Sequence, residues 1–305
     1  MHKIRWPQLA GIGVSLLFLV AAVWILLREG QHLLNYSFRL HAGWLGLSFV
    51  VECSGLLLAV PVWRQIMERF NGRLPYRDHF RIYCYSMLGI AVPGRLWSVV
   101  GRAALYKREG ISGVAVALAS LTELILTGLA GLVVFGVTTA VSPPTELWQR
   151  PILALIGSLL AVIFIQPPLF NRLINRLLHR FPATKDAPAI VMAYKDLIIW
   201  LGLECLVLGI GGTAVYLLLY SLAPTSIDIL PTIIGAWAVA TIAGSLFFWV
   251  PGPVIRDGLM TLVLAQVLPS ATAVIFVILV RLWTIASILV LACLVWLWQH
   301  SPKFI

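Results

Sequence analysis

The sequence predicts an all-α polytopic membrane protein with about six transmembrane helices and two opposed re-entrant helical hairpins in an inverted repeat. Three observations lead there: apolar blocks about 20 residues long recur from end to end, basic residues collect in alternate loops, and two blocks are broken by Pro-Gly steps. Of the 305 residues 60% are hydrophobic and 11% charged, where a soluble domain carries about 25% charged residues. Such a surface is built for lipid, and blocks of this length cross a hydrocarbon core of about 30 Å as helix.

The apolar segments run over 7–27, 42–62, 82–106, 111–140, 151–169, 197–222, 231–268 and 271–298. The first follows Lys3 and Arg5 without a small-residue cleavage site and reads as a retained helix. The third is interrupted by Pro93-Gly94 and the seventh by Pro251-Gly252-Pro253. A proline inside a helix removes one backbone bond and clashes a turn back, so both blocks should fold as two arms.

Arg and Lys near helix ends favour the cytoplasm. The basic stretches are the N-terminus, 63–81, 102–108 and 170–195, whereas 141–150 and 223–230 hold little net charge. With 63–81 and 102–108 on one side, the block between them enters and leaves on that side. By the same count 231–268 does so from the opposite side, and both termini are cytoplasmic. The single membrane domain 1–305 thus divides into repeats 1–145 and 146–305 of opposite orientation. Glu123 lies 30 positions after Pro93 and Arg281 lies 30 after Pro251, while Glu52-Cys53 and Glu204-Cys205 occupy matching second helices. Between Leu169 and Phe181, apolar residues recur at helical spacing opposite Arg172, Arg176, His179 and Arg180. That pattern is either a helix lying on the inner leaflet or an extension of the preceding span.

The net charge of +10 resides in these loops and orients the chain, so nucleic acid is not an expected partner. Cys53, Cys84, Cys205 and Cys293 show no spacing for a disulfide framework or a zinc site. The six histidines are scattered through loops and helix ends, no P-loop, GxSxG or HExxH pattern occurs, and no cofactor or metal is expected. Trp6, Trp44, Trp63, Trp148 and Trp298 read as interfacial anchors.

Ionisable groups within hydrocarbon cost about 3 kcal/mol each and mark partners or wet cavities. Here they are Glu52, Glu123, Glu204 and Arg281 in spans, with Arg95, Arg102, Arg256 and Asp257 at or after the breaks. A broken helix offers free N–H groups and a positive dipole end to an anion. Arg95, Arg102, Arg256, Asp257, Arg281 and Glu123 are therefore candidates for holding a lipid head group, with Pro93, Gly94, Pro251 and Gly252 making the breaks. Arg281, too deep to snorkel readily, should pair with Glu123 or a lipid phosphate. Glu52 and Glu204 are candidates for proton coupling.

Pro93-Gly94-Arg95 followed by Arg102, Gly110 and the Ala-Ser-Leu-Thr-Glu run ending at Glu123 resembles the transmembrane region of lysylphosphatidylglycerol synthetases. Pro251-Gly252, then Arg256-Asp257-Gly258 and Arg281, is similar to that family's second signature, with Pro253 where a glycine is expected and Asp257 where Glu is usual. In that family the membrane region moves an aminoacylated phospholipid between leaflets and a separate soluble domain makes it. The resemblance implies a flippase of the cell inner membrane acting on lipids with anionic head groups, without the synthase domain. A lipid-modifying synthase or glycosyltransferase is the implied partner. The alternative is a membrane enzyme or enzyme subunit acting on polyprenyl-phosphate or glycolipid, with Asp257 or Glu123 as general base.

Overall fold

The computed structural model describes residues 40–90, 96–141, 151–180, 189–246 and 253–300. The expected span 7–27, the breaks at Pro93, Gly94, Pro251 and Gly252, and Arg95 lie outside the described residues. The rest forms ten α-helices: α1 (Ala42–Arg69), α2 (Tyr76–Met87), α3 (Leu96–Arg108), α4 (Gly113–Val141), α5 (Pro151–Phe164), α6 (Pro167–Leu178), α7 (Tyr194–Leu222), α8 (Leu230–Leu246), α9 (Pro253–Leu264) and α10 (Ser270–Gln299). There is no strand among the described residues. This is an all-α polytopic membrane protein.

Five helices are long and apolar enough to cross a bilayer: α1, α4, α7, α10, and α8 with the 3₁₀ turn that precedes it. A sixth crossing is available if Leu155–Phe164 and Pro167–Leu178 count as one span bent by 67°. Pro167 and Pro168 open α6, and the missing N–H and fixed φ of proline suit a helix start while preventing α5 from continuing through it. The amphipathic segment is thus a helix of its own, turned away from α5. Its core side is Phe170, Ile174 and Leu178, as the helical spacing predicts.

α2, α3 and α9, of 12, 13 and 12 residues, reach only about 18–20 Å at 1.5 Å per residue. None spans hydrocarbon alone. α2 and α3 lie side by side as antiparallel arms, with His79 against Tyr106 and Ser86 against Arg102. α8 is different in length but is the most enclosed of the candidate spans, with 61% of its apolar window buried against 33–44% for the others.

The axis of the molecule is the antiparallel pair α1 and α7. The backbone N–H of His41 donates to the Ser221 carbonyl, Ser48 Oγ donates to the Ala214 carbonyl, Trp200 Nε1 donates to Gln65 Oε1, and Arg69 pairs with Asp196 at the far end. Around it the contacts repeat. α1 packs on α2 as α7 packs on α8; α2 on α3 as α8 on α9; α3 on α4 as α9 on α10; and α4 lies against α8 as α10 lies against α2.

Small residues permit the closest crossings, as is usual between helices in lipid. A Cβ on Gly212 would come within 2.8 Å of the Ile234 Cα, and one on Gly131 within 2.6 Å of Ile242 Cγ1. At the hairpin tip a Cβ on Gly89 would meet the Ser98 backbone N at 2.6 Å. Backbone cannot move aside as a flexible side chain can. Gly212→Val is therefore expected to lower stability by about 1–3 kcal/mol, read as an earlier thermal unfolding midpoint in detergent, whereas Gly202→Ala, with open space around it, leaves the midpoint unchanged or slightly raised.

Candidate functional site

Besides ion pairs such as Arg69–Asp196 and Arg81–Glu109, two charged clusters involve the candidate residues, one in each half of the chain. In the first, Arg102 of α3 donates from Nη1 to Glu123 Oε2 of α4 at 2.6 Å and from Nε to Ser86 Oγ at 3.1 Å. Its guanidinium also lies 3.9 Å from the ring centroid of Trp63 and 4.5 Å from that of Tyr83. Tyr83 completes the cluster by donating its hydroxyl to Glu123 Oε1. A planar cation between aromatic faces, with a carboxylate in its plane, satisfies both the charge and the N–H fork of arginine. With Arg102 only 4% exposed, this first cluster is closed.

Beside it, Trp63 Nε1 donates to the Tyr106 hydroxyl at 2.8 Å, and that hydroxyl meets His79 Nδ1 at 2.5 Å. The Tyr106 hydroxyl thus accepts from Trp63 and shares a second hydrogen bond with the His79 ring. Trp63 was expected at the membrane interface, yet it is fully buried. Its N–H and its ring face are both used here.

In the second cluster, Arg281 Nη1 of α10 donates to Asp257 Oδ2 of α9 at 3.2 Å. The Arg281 side chain remains 37% exposed and that of Asp257 13%. Arg256 stacks on Trp237 of α8, with its guanidinium 4.4 Å from the ring centroid, and has no salt bridge to a described carboxylate. With the Arg281 side chain 37% exposed against 5% for that of Arg102, this cluster is the more open of the two.

The expected pairing of Arg281 with Glu123 is not the observed one. Each charge instead pairs within its own half, because α3 packs on α4 and α9 on α10. The polarity is reversed between halves: the hairpin arm supplies the cation Arg102 in the first and the anion Asp257 in the second.

A polar seam joins the halves. Thr127, one turn beyond Glu123, places Oγ1 2.9 Å from the Glu123 carbonyl and 2.9 Å from Glu204 Oε2 on α7. Glu52 on α1 and Glu204 on α7 are both buried at 4% exposure. Sequence reading found these carboxylates but missed Thr127, Tyr83, Ser86 and Trp237. The four-residue step from Glu123 to Thr127 was a readable helical signal; aromatic partners from other helices leave none. Among the described residues no group of three His, Cys, Asp or Glu side chains is placed to hold a metal.

Removing one member of a buried pair leaves the other charge uncompensated, at about 3–5 kcal/mol. Arg102→Met should accordingly destabilise the folded protein strongly in a detergent unfolding assay, and adding Glu123→Leu should recover most of the loss. Arg281→Gln, at the more open pair, should shift the midpoint far less.

No curated protein and no solved structure matches the chain. Residues 8–292 match the family described as the lysylphosphatidylglycerol synthase TM region, which takes in both clusters, the seam and the two broken segments. The chain belongs to the family of the lysylphosphatidylglycerol synthase transmembrane region, as a multi-pass membrane protein with a lipid-related role.

Proposed function

We propose that this protein moves an anionic phospholipid, or a lipid-linked phosphate, between leaflets, holding the head group at Arg256 and Arg281 while the acyl chains stay in the bilayer. The observation that carries the reading is the contrast between the two clusters. Arg102 is consumed by Glu123, Ser86 and two aromatic rings, whereas among the described residues Arg281 makes one long bond and Arg256 stacks on Trp237, near the Glu52 and Asp257 carboxylates but without a salt bridge to either. Arg281 is the twelfth residue of the 30-residue α10, roughly 17 Å from its start and so near mid-membrane. A doubly basic site at that depth, on and beside a helix that starts just after the Pro251-Gly252 step of the sequence, suits a phosphate.

The matching contacts on either side of α1 and α7 support two inverted repeats, 1–145 and 146–305, whose hairpins enter from opposite faces. In this reading Arg95 and Arg102 belong to the equivalent site of the first half, sealed here by Glu123. Alternating access then consists of opening one cluster as the other closes. Loop charge supports an orientation with both termini and the basic loops in the cytoplasm, in the cell inner membrane.

The seam supplies a route for coupling. A threonine hydroxyl carries one proton, so Thr127 satisfies both of its 2.9 Å contacts only when Glu204 brings a proton of its own. Glu204 is accordingly assigned as a proton carrier, linking the closed state to protonation, and Glu52, equally buried on α1, is assigned as its counterpart.

Fluorescent phosphatidylglycerol in liposomes holding the purified chain is expected to exchange between leaflets faster than in empty liposomes. Arg256→Gln with Arg281→Gln should remove at least nine-tenths of the added rate at equal folded protein. Unchanged exchange in that double variant would remove the site, and a change in lipid mass on incubation would replace translocation with an enzymatic reaction. An imposed proton gradient should alter the wild-type rate but leave Glu204→Gln indifferent to it.

A further inference from the structure

The outer side of α6 and the bend before it are not used by the translocation site. We propose that they form a separate binding groove for an anionic phospholipid of the cytoplasmic leaflet, held as a bound lipid.

A groove of about 110 Å³ lies between Ile125 of α4, Phe164 at the end of α5, and Leu169 and Leu173 of α6, with Phe170 beneath. It exists because α5 and α6 meet at 67° over a two-residue break, so their side chains diverge above α4. Phe164, Leu169 and Leu173 are exposed. Arg172 and Arg176 complete the lining. They are four residues apart and so share one face of α6, and neither is bonded to a carboxylate among the described residues.

The other faces of α6 are already committed, which fixes its rotation. Phe170, Ile174 and Leu178 enter the core. Asn171 and Asn175 each use one side-chain amide to grip a neighbouring backbone: Asn171 donates to the Met192 carbonyl and accepts from its N–H, and Asn175 does the same with Ile190. The two arginines and two leucines are therefore presented outward together. An apolar slot rimmed by two guanidinium groups that have no carboxylate partner among the described residues matches an acyl chain joined to a phosphate. A zwitterionic lipid offers the same chains with a cationic group that repels the arginines, so the groove should select anionic head groups.

The test uses the full chain in liposomes doped with phosphatidylglycerol or phosphatidylcholine carrying a photoreactive diazirine on the acyl chain, with crosslinked peptides mapped by mass spectrometry. The phosphatidylglycerol probe should label residues 164–173 above other lipid-facing segments. Arg172→Gln with Arg176→Gln should weaken that labelling roughly 30-fold, each head-group contact contributing about fivefold, while Arg172→Lys with Arg176→Lys retains most of it and shows that the fold persists. Equal labelling by phosphatidylcholine, labelling spread evenly over exposed helices, or full labelling of the glutamine variant would each overturn the proposal.

Discussion

An ion in hydrocarbon needs a partner, and the interior of this protein is arranged around that requirement. Arg102 deep in the fold is tolerable only because Glu123, Ser86, Trp63 and Tyr83 converge on it from three other helices. Those contacts fix how α3 lies against α2, α4 and α1. The short arms, which cannot span the membrane unaided, are anchored by the same charge that would otherwise expel them.

The second cluster is built from the same parts with less closure. Swapping the sign of the arm residue, Arg102 against Asp257, leaves the helix residue Arg281 as the cation, and a cation on a long helix is harder to bury on all sides than one at the base of a hairpin. An arginine next door, Arg256, adds charge that Asp257 alone does not neutralise. The two halves therefore differ in how far their charges are closed off while sharing how they pack.

Much of this was legible in the residues. Block length and loop charge gave the helical membrane fold, the apolar spacing from Leu169 to Phe181 gave the core side of α6 but not its break from α5, and the carboxylates in apolar blocks marked the polar interior. What could not be read was which charge meets which. Glu123 and Arg281 are opposite in sign and equally spaced from their prolines, so the sequence invites their pairing; only the packing of α3 on α4 and of α9 on α10 separates them. Trp63 misled for a related reason. A tryptophan near the end of an apolar block has the same local signature whether it anchors at the head groups or is turned inward to stack on an arginine.

The amide ladder between α6 and the segment entering α7 has a mechanical meaning. Asn171 and Asn175 bind Met192 and Ile190 as one strand binds another, although no sheet exists among the described residues. The start of α7 is thereby fastened to α6 through space as well as through the chain. A chain severed between α6 and Ile190 would still carry four hydrogen bonds across the cut, so the second half of the protein is braced at this point by side chains and not by its connecting segment alone.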